Sequence, residues 1–130
     1  IPARDMTEHE KSVGLLGVHA KSSFELAQQS VSRFSDRIEI RQRLVPRTLC
    51  DDGPSQIAMM HPDLDFAQPT IDAFTGAFPR WTAGGICPLD DYLWQRFEDQ
   101  RSAVERYFND RGLTTIALPT AQEIAMNLSD

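Results

Sequence analysis

The residue with the sharpest claim to chemistry is Cys87, in the run "TAGGICPLDDY" between Gly84-Gly85 and Pro88. A thiol at a helix N-terminus is acidified by unpaired backbone amides, and the thiolate is the nucleophile. A cysteine hydrolase also needs a base within hydrogen-bond reach. His9, His19 and His61 are the only histidines, and none stands in a recognisable partner motif. A site built from Cys87, His61 and Asp63 or Asp65 is therefore the alternative expectation, a small enzyme or ligand-binding domain. The main expectation for Cys87 is a buried thiol at a helix start, before a proline in the first helical position.

Other chemistries are disfavoured. Gly84-Gly85 before a helix would let amides approach an anion. However, neither G-x-x-x-x-G-K-[ST] nor G-x-G-x-x-G is present, and Asp90 and Asp91 would repel phosphate. Asp63-Leu64-Asp65 beside His61 looks like part of a metal site, but hard-cation loops need more oxygen ligands and a glycine at a fixed offset. No H-E-x-x-H or paired C-x-x-C occurs. No metal and no cofactor is expected.

The remaining signals point to contacts. Arg33, Arg37 and Arg41 lie four apart and form one stripe on a helix, with Arg43 and Arg47 near. Such a stripe can grip an acidic partner, although Asp36 and Glu39 interleave as local ion-pair partners. Trp81, Trp94 and Tyr107 accompany apolar helical stripes, and off-seam aromatics either widen a core or sit in an interface. With Phe24 and Phe34, these residues are the expected partner-binding set.

The elements that would position them read as mostly helical. Thr7 and Glu10 form a capping-box pattern, but Gly14 and Gly17 weaken the helix it would start, so residues 1–21 read as an arm or a weak helix. Phe24, Ala27, Val31, Phe34 and Ile38 make a heptad-like seam from Ser22, and one helix to about Leu44 is favoured. "RIEIRQRLV" also alternates, which leaves a strand over Ile38–Val45 open. "QIAMMHPDLDFAQP" reads as irregular and "TIDAFTGAF" as a short helix. Leu89, Leu93, Phe97, Val104 and Phe108 predict a second long helix, started at Pro88 and stopped at Gly112. Leu113–Leu118 is the best strand candidate. "PTAQEIAMNLSD" reads as a final amphipathic helix with a Thr120/Glu123 capping box.

Composition bounds the rest. The chain has 130 residues, 41% hydrophobic and 25% charged, with a net charge of -6, the profile of one small globular domain. The acidic balance disfavours nucleic acid. No apolar run reaches the ~20 residues that span a bilayer, and the N-terminal stretch is not expected to be a signal peptide. Cys50 and Cys87 make no disulfide framework and suit reduced thiols in the cytoplasm. The expected fold class is mainly α: a small single-domain helical protein over 22–130. It has two long amphipathic helices, short helices and at most one minor strand pair. The expected function is a non-enzymatic protein-binding regulator, such as an adaptor, antiactivator or immunity-type inhibitor. It would bind another protein through a helical apolar and aromatic face and form a homodimer to cover excess apolar surface.

Overall fold

In the computed structural model the described residues are 6–13, 23–42, 44, 45, 49, 53–90 and 92–128. Cys50, Asp91, His19, Arg43 and Arg47 lie outside them. The fold is α/β rather than mainly α. Its helices are α1 (Glu8–Ser12), α2 (Phe24–Val31), α3 (Ala67–Ala77) and α4 (Glu98–Asn109). Its strands are β1 (Ile57–Met59), β2 (Trp81–Leu89), β3 (Thr114–Ala117) and β4 (Glu123–Met126). They form one four-stranded sheet of order β1-β2-β4-β3. β1 runs parallel to β2, with α3 in the crossover, and β4 is antiparallel to both β2 and β3.

The two long helices of the sequence reading are both corrected. The first ends at Val31, passes through a 3-10 turn at Ser32–Phe34, and gives way to irregular chain over 38–42. The described residues of Ile38–Val45 are thus neither helix nor strand. The second is two elements. Trp81–Leu89 is a strand, and helix begins only at Glu98. The spacing of Leu89, Leu93 and Phe97 matched a helix by coincidence. Leu89 belongs instead to the period-two inward row of β2, with Gly85 and Cys87. Gly84-Gly85 is therefore strand, not turn. Gly84 has φ +72°, and its N–H donates to the Asn127 carbonyl (2.7 Å). At Gly85 a Cβ would come within 2.5 Å of Trp81 Nε1, so the backbone packs directly on the indole.

Two further elements change type. "QIAMM" supplies β1, and the expected C-terminal helix is β4, with Ile124 and Ala125 paired to Pro88 and Cys87. The strand expected at Leu113–Leu118 is β3, and the short helix expected near 70–78 is α3, which starts earlier. Pro69 sits in the first turn of α3, where a missing N–H breaks no helical bond.

The core lies on one face of the sheet. Phe74 of α3 and Val104, Tyr107 and Phe108 of α4 pack over Ile57, Trp81, Cys87, Leu89 and Ala125. Phe74 meets the Phe108 ring at 5.0 Å and the Tyr107 ring at 5.6 Å between centroids, spacings at which aromatic pairs add attraction beyond simple burial. α2, by contrast, has no buried residue.

The N-terminal capping box is formed. Glu10 N–H donates to Thr7 Oγ1 (3.0 Å), and Thr7 N–H donates to Glu10 Oε2 (2.7 Å). The other oxygen of Glu10 accepts the Ala67 N–H (2.7 Å). α3 has no side-chain cap of its own, so a carboxylate from α1 caps it instead, where the helix dipole favours negative charge. These hydrogen bonds satisfy both carboxylate oxygens of Glu10, which is 1% exposed. Thr7 also donates to Asp99, and Arg96 to the Val13 carbonyl. α1 is thereby strapped across the N-terminal ends of α3 and α4.

Candidate functional site

In open α/β sheets, ligands bind outside the carboxyl ends of the parallel strands, where connecting loops diverge. Here that place is set by two loops. β1 runs into Met60–Asp65, and β2 runs into Asp90 and Tyr92. His61 and Asp63 are exposed on the first loop, and Asp65 is buried. Asp65 has φ +62°, a left-handed conformation that costs a non-glycine residue energy and gathers at functional sites. On the second loop, half-buried Asp90 accepts from Gln122 Nε2. Gln122 in turn accepts from Thr120 Oγ1 (2.8 Å), and Leu93 N–H donates to the Ala121 carbonyl (3.0 Å). The β3–β4 turn thus holds the Asp90 loop in place.

Beside Asp90, the Tyr92 hydroxyl donates to Glu105 Oε1 (2.8 Å). Its acidity is held well below that of an ordinary phenol, first by burial, then by Glu105 and then by the nearby Glu123 carboxylate. Tyr92 is therefore a proton-bearing hydrogen-bond donor at working pH. At the far rim, His9 Nε2 lies 3.2 Å from Glu98. The Glu98 backbone hydrogen bond and then His9 hold that carboxyl below its usual value.

Two hollows flank the loops. A small one of about 10 Å³, room for roughly one water, is lined by Pro62, Asp90, Tyr92 and Gln100 among others. A larger one of about 340 Å³ lies between β1 and α3. Its walls are Ile57 of β1, Met60 just after it, and Ala73, Phe74 and Ala77 of α3, with His61 and Asp63 at the rim. An apolar cavity with a few polar groups on one side is the usual form of a small-molecule site.

The structure brings His61 and Asp63 together at this rim but not Cys87. Cys87 is 0% exposed, in the core with Val104, Phe108 and Ala125. Burial pushes its thiol up to about 12, so it is no nucleophile at neutral pH. Among the described residues, no group of three or more His, Cys, Asp or Glu side chains is placed to hold a metal.

The expected partner-binding residues scatter. Trp81 and Tyr107 are core residues, 5% and 7% exposed. Trp94 is 60% exposed and Phe34 43%, while Phe24 is half-buried. Arg33, Arg37 and Arg41 form no helical stripe, because Arg37 and Arg41 lie beyond α2 and the 3-10 turn. Arg33 stacks on Phe34 (4.6 Å), Arg37 approaches Asp36 (3.6 Å) and Arg41 pairs with Glu39 (2.6 Å). Sequence reasoning missed Asp90, Tyr92, Glu10 and Gln122 as site or supporting residues. Only the first two carried a signal, being acid and phenol directly after the apolar run "ICPL".

No protein-family model matches the chain, and no curated protein matches it. Among solved structures it is similar to the O-methyltransferase NovP, with a TM-score of 0.81 and 19% sequence identity. The match covers 99% of this chain and 56% of that one, so the chain spans little more than half the length of the protein it resembles. At this identity the likeness establishes the fold. It overturns the mainly helical expectation and leaves the regulator and inhibitor readings without support. The expectation that the protein is not an enzyme is corrected with them, since the fold it shares is that of an O-methyltransferase. No helix among the described residues is long and apolar enough to cross a membrane.

Proposed function

We propose that this chain carries the acceptor-binding side of a methyl transfer to oxygen, in a domain built like that of NovP. The observation that carries this reading is the placement of His61 and Asp63 past the carboxyl end of β1, beside an apolar cavity of about 340 Å³, with Asp90 past the carboxyl end of the parallel strand β2. The TM-score of 0.81 over 99% of the chain supports it. The chemistry suits a flat, largely apolar acceptor bearing a hydroxyl group. The ring lies against Ile57 and Phe74, and the hydroxyl reaches the rim.

There a carboxylate accepts the hydroxyl proton as the oxygen becomes a nucleophile. Asp63 is the residue best placed for this, being exposed on the rim. Tyr92 and Gln122 hold the neighbouring loop and Asp90 in place. A methyl transferase also needs a methyl donor. Nucleotide-type donors are held by a glycine-rich turn between a strand and a helix. The β1–α3 junction, His61–Phe66, and the described part of the β2–α4 junction contain no glycine. These residues do not fit such a donor, and the reading involves them only with the acceptor.

The test is NMR titration of the isotope-labelled chain with simple phenols. Saturable shifts at His61, Asp63, Leu64 and Asp90, lost in Asp63→Leu, are expected. Phenols that leave those amides unmoved, or that shift only residues elsewhere, would overturn the reading.

A further inference from the structure

The two loops that carry the acceptor-site residues both end in backbone strain. The loop after β1 turns into α3 through Asp65 at φ +62°, and the loop after β2 turns into α4 through Arg96 at φ +88°. Neither residue is glycine, and a left-handed residue of this kind persists only where its surroundings fix it. The segment from Met6 to Val13, with α1 at its centre, supplies part of those surroundings for both loops.

On the α3 side, Glu10 takes the Ala67 N–H (2.7 Å), two residues past Asp65. On the α4 side, Thr7 Oγ1 donates to Asp99, His9 Nε2 lies 3.2 Å from Glu98, and the Arg96 guanidinium donates to the Val13 carbonyl. One apolar cluster closes the join. Met6 is buried against Phe66, the last residue before α3, and Val13 and Phe97, the last residue before α4, pack on them. Further in, Gln100 Nε2 donates to Thr70 Oγ1 (3.2 Å) and holds the two helices to each other. α1 holds the loop ends themselves. A capping box ordinarily serves its own helix, but this one is also bonded outward from both of its residues. A five-residue helix is too short to be stable alone, so α1 forms as it docks, and it docks on both loops at once.

We infer that α1 is a clamp that sets the two loops of the acceptor site relative to each other, with Glu10 and Thr7 as its positioning residues. Docked, it fixes the ends of the loop that carries His61 and Asp63 and of the loop that carries Asp90 and Tyr92. Released, it lets Asp65 and Arg96 leave their strained conformations, and acceptor affinity falls. Glu10 and Thr7 act through Ala67 and Asp99 and do not themselves meet the acceptor. The inference deepens the reading above and rests on it for the ligand.

Hydrogen exchange tests the coupling without a ligand. Thr70 N–H, bonded to the Phe66 carbonyl, reports the start of α3, and Arg101 N–H, bonded to the Phe97 carbonyl, reports the start of α4. Glu10→Ala cuts the α3 side and should speed exchange at Arg101 at least about tenfold. Thr7→Val cuts the α4 side and should speed exchange at Thr70 by a similar factor. Phenol titration of the folded variants then reads the site. Both should bind phenol at least about fivefold more weakly than wild type. Leu113→Ala, which loosens the same core from the far end of α4, should bind it as wild type does. Exchange that rises only on the side that was cut overturns the inference. So does phenol affinity that is unchanged in both α1 variants, or that falls equally in Leu113→Ala. Should Glu10→Ala not fold, Thr7→Val leaves the Glu10 bonds to Ala67 and to the backbone of residue 7 in place and carries both readouts. A wild type that binds no phenol sinks the acceptor reading, and the exchange result still decides the clamp.

Discussion

Two regions of this chain carry equally good apolar periodicity and end in opposite states. In the first, α4 places Val104, Tyr107 and Phe108 on one stripe and buries all three against α3 and the sheet. In the second, the seam of Phe24, Ala27, Val31 and Phe34 runs through α2 and its 3-10 extension, with Ile38 past their end, and none of it is buried. The difference lies in what each stripe meets. Residues 57–128 supply a second helix and the strands β1, β2 and β4, whose buried side chains share one core with α4. Residues 23–45 meet no such surface among the described residues. A periodic stripe states what a helix would bury, and the burial itself depends on a partner surface.

The largest test of that contrast is Phe108→Ala. Phe108 is 1% exposed within the Phe74–Tyr107 aromatic group, and its truncation should cost about 3–5 kcal/mol in urea unfolding. Next comes Glu10→Ala, which removes the carboxylate that caps α3 from α1. A loss of about 1.5–3 kcal/mol is expected, as for hydrogen bonds to a charged group. A neutral result would detach α1 from the packed region.

Cys87 gives a pH-dependent test. The folded protein keeps the thiol proton until about 12, whereas the unfolded chain releases it near 9.0. Stability from this group is full below pH 9 and falls as pH rises through that window, by at most about 1.4 kcal/mol per pH unit. Denaturation of wild type and Cys87→Ala across the window should show the steeper decline in wild type. The smallest effect belongs to the second region. Phe34→Ala, at a residue 43% exposed, should change stability by no more than about 0.5 kcal/mol.

What the sequence made legible follows the same division. Features set by a few neighbouring residues could be read, namely the Thr7–Glu10 capping box, the helix around Ile71 and Phe74, and the short β-branched run at 114–117. Features set by distant partners could not. β4 is a strand because Ile124 and Ala125 pair with Pro88 and Cys87. Locally, Thr120 and Glu123 imitate a helix start. β2 was hidden because Gly84 and Gly85 mark turns far more often than strand interiors. Of the site, His61, Asp63 and Asp65 stood out as a cluster of polar residues within an apolar segment. Asp90 reads in the sequence only as a charge at a helix start that would repel phosphate, since the helix is placed one loop too early. Glu10 and Gln122 act through contacts across the chain, to Ala67 and Asp90, and no spacing rule reaches so far.

The account stands or falls on the sheet. Backbone chemical shifts and cross-strand contacts measured by NMR test it directly. Extended-type shifts over Trp81–Leu89 and Glu123–Met126 are predicted, with contacts between Ile86 and Met126 and between Ile116 and Ile124. Helical shifts running unbroken from Pro88 to Asn109, or across 120–128, would contradict it.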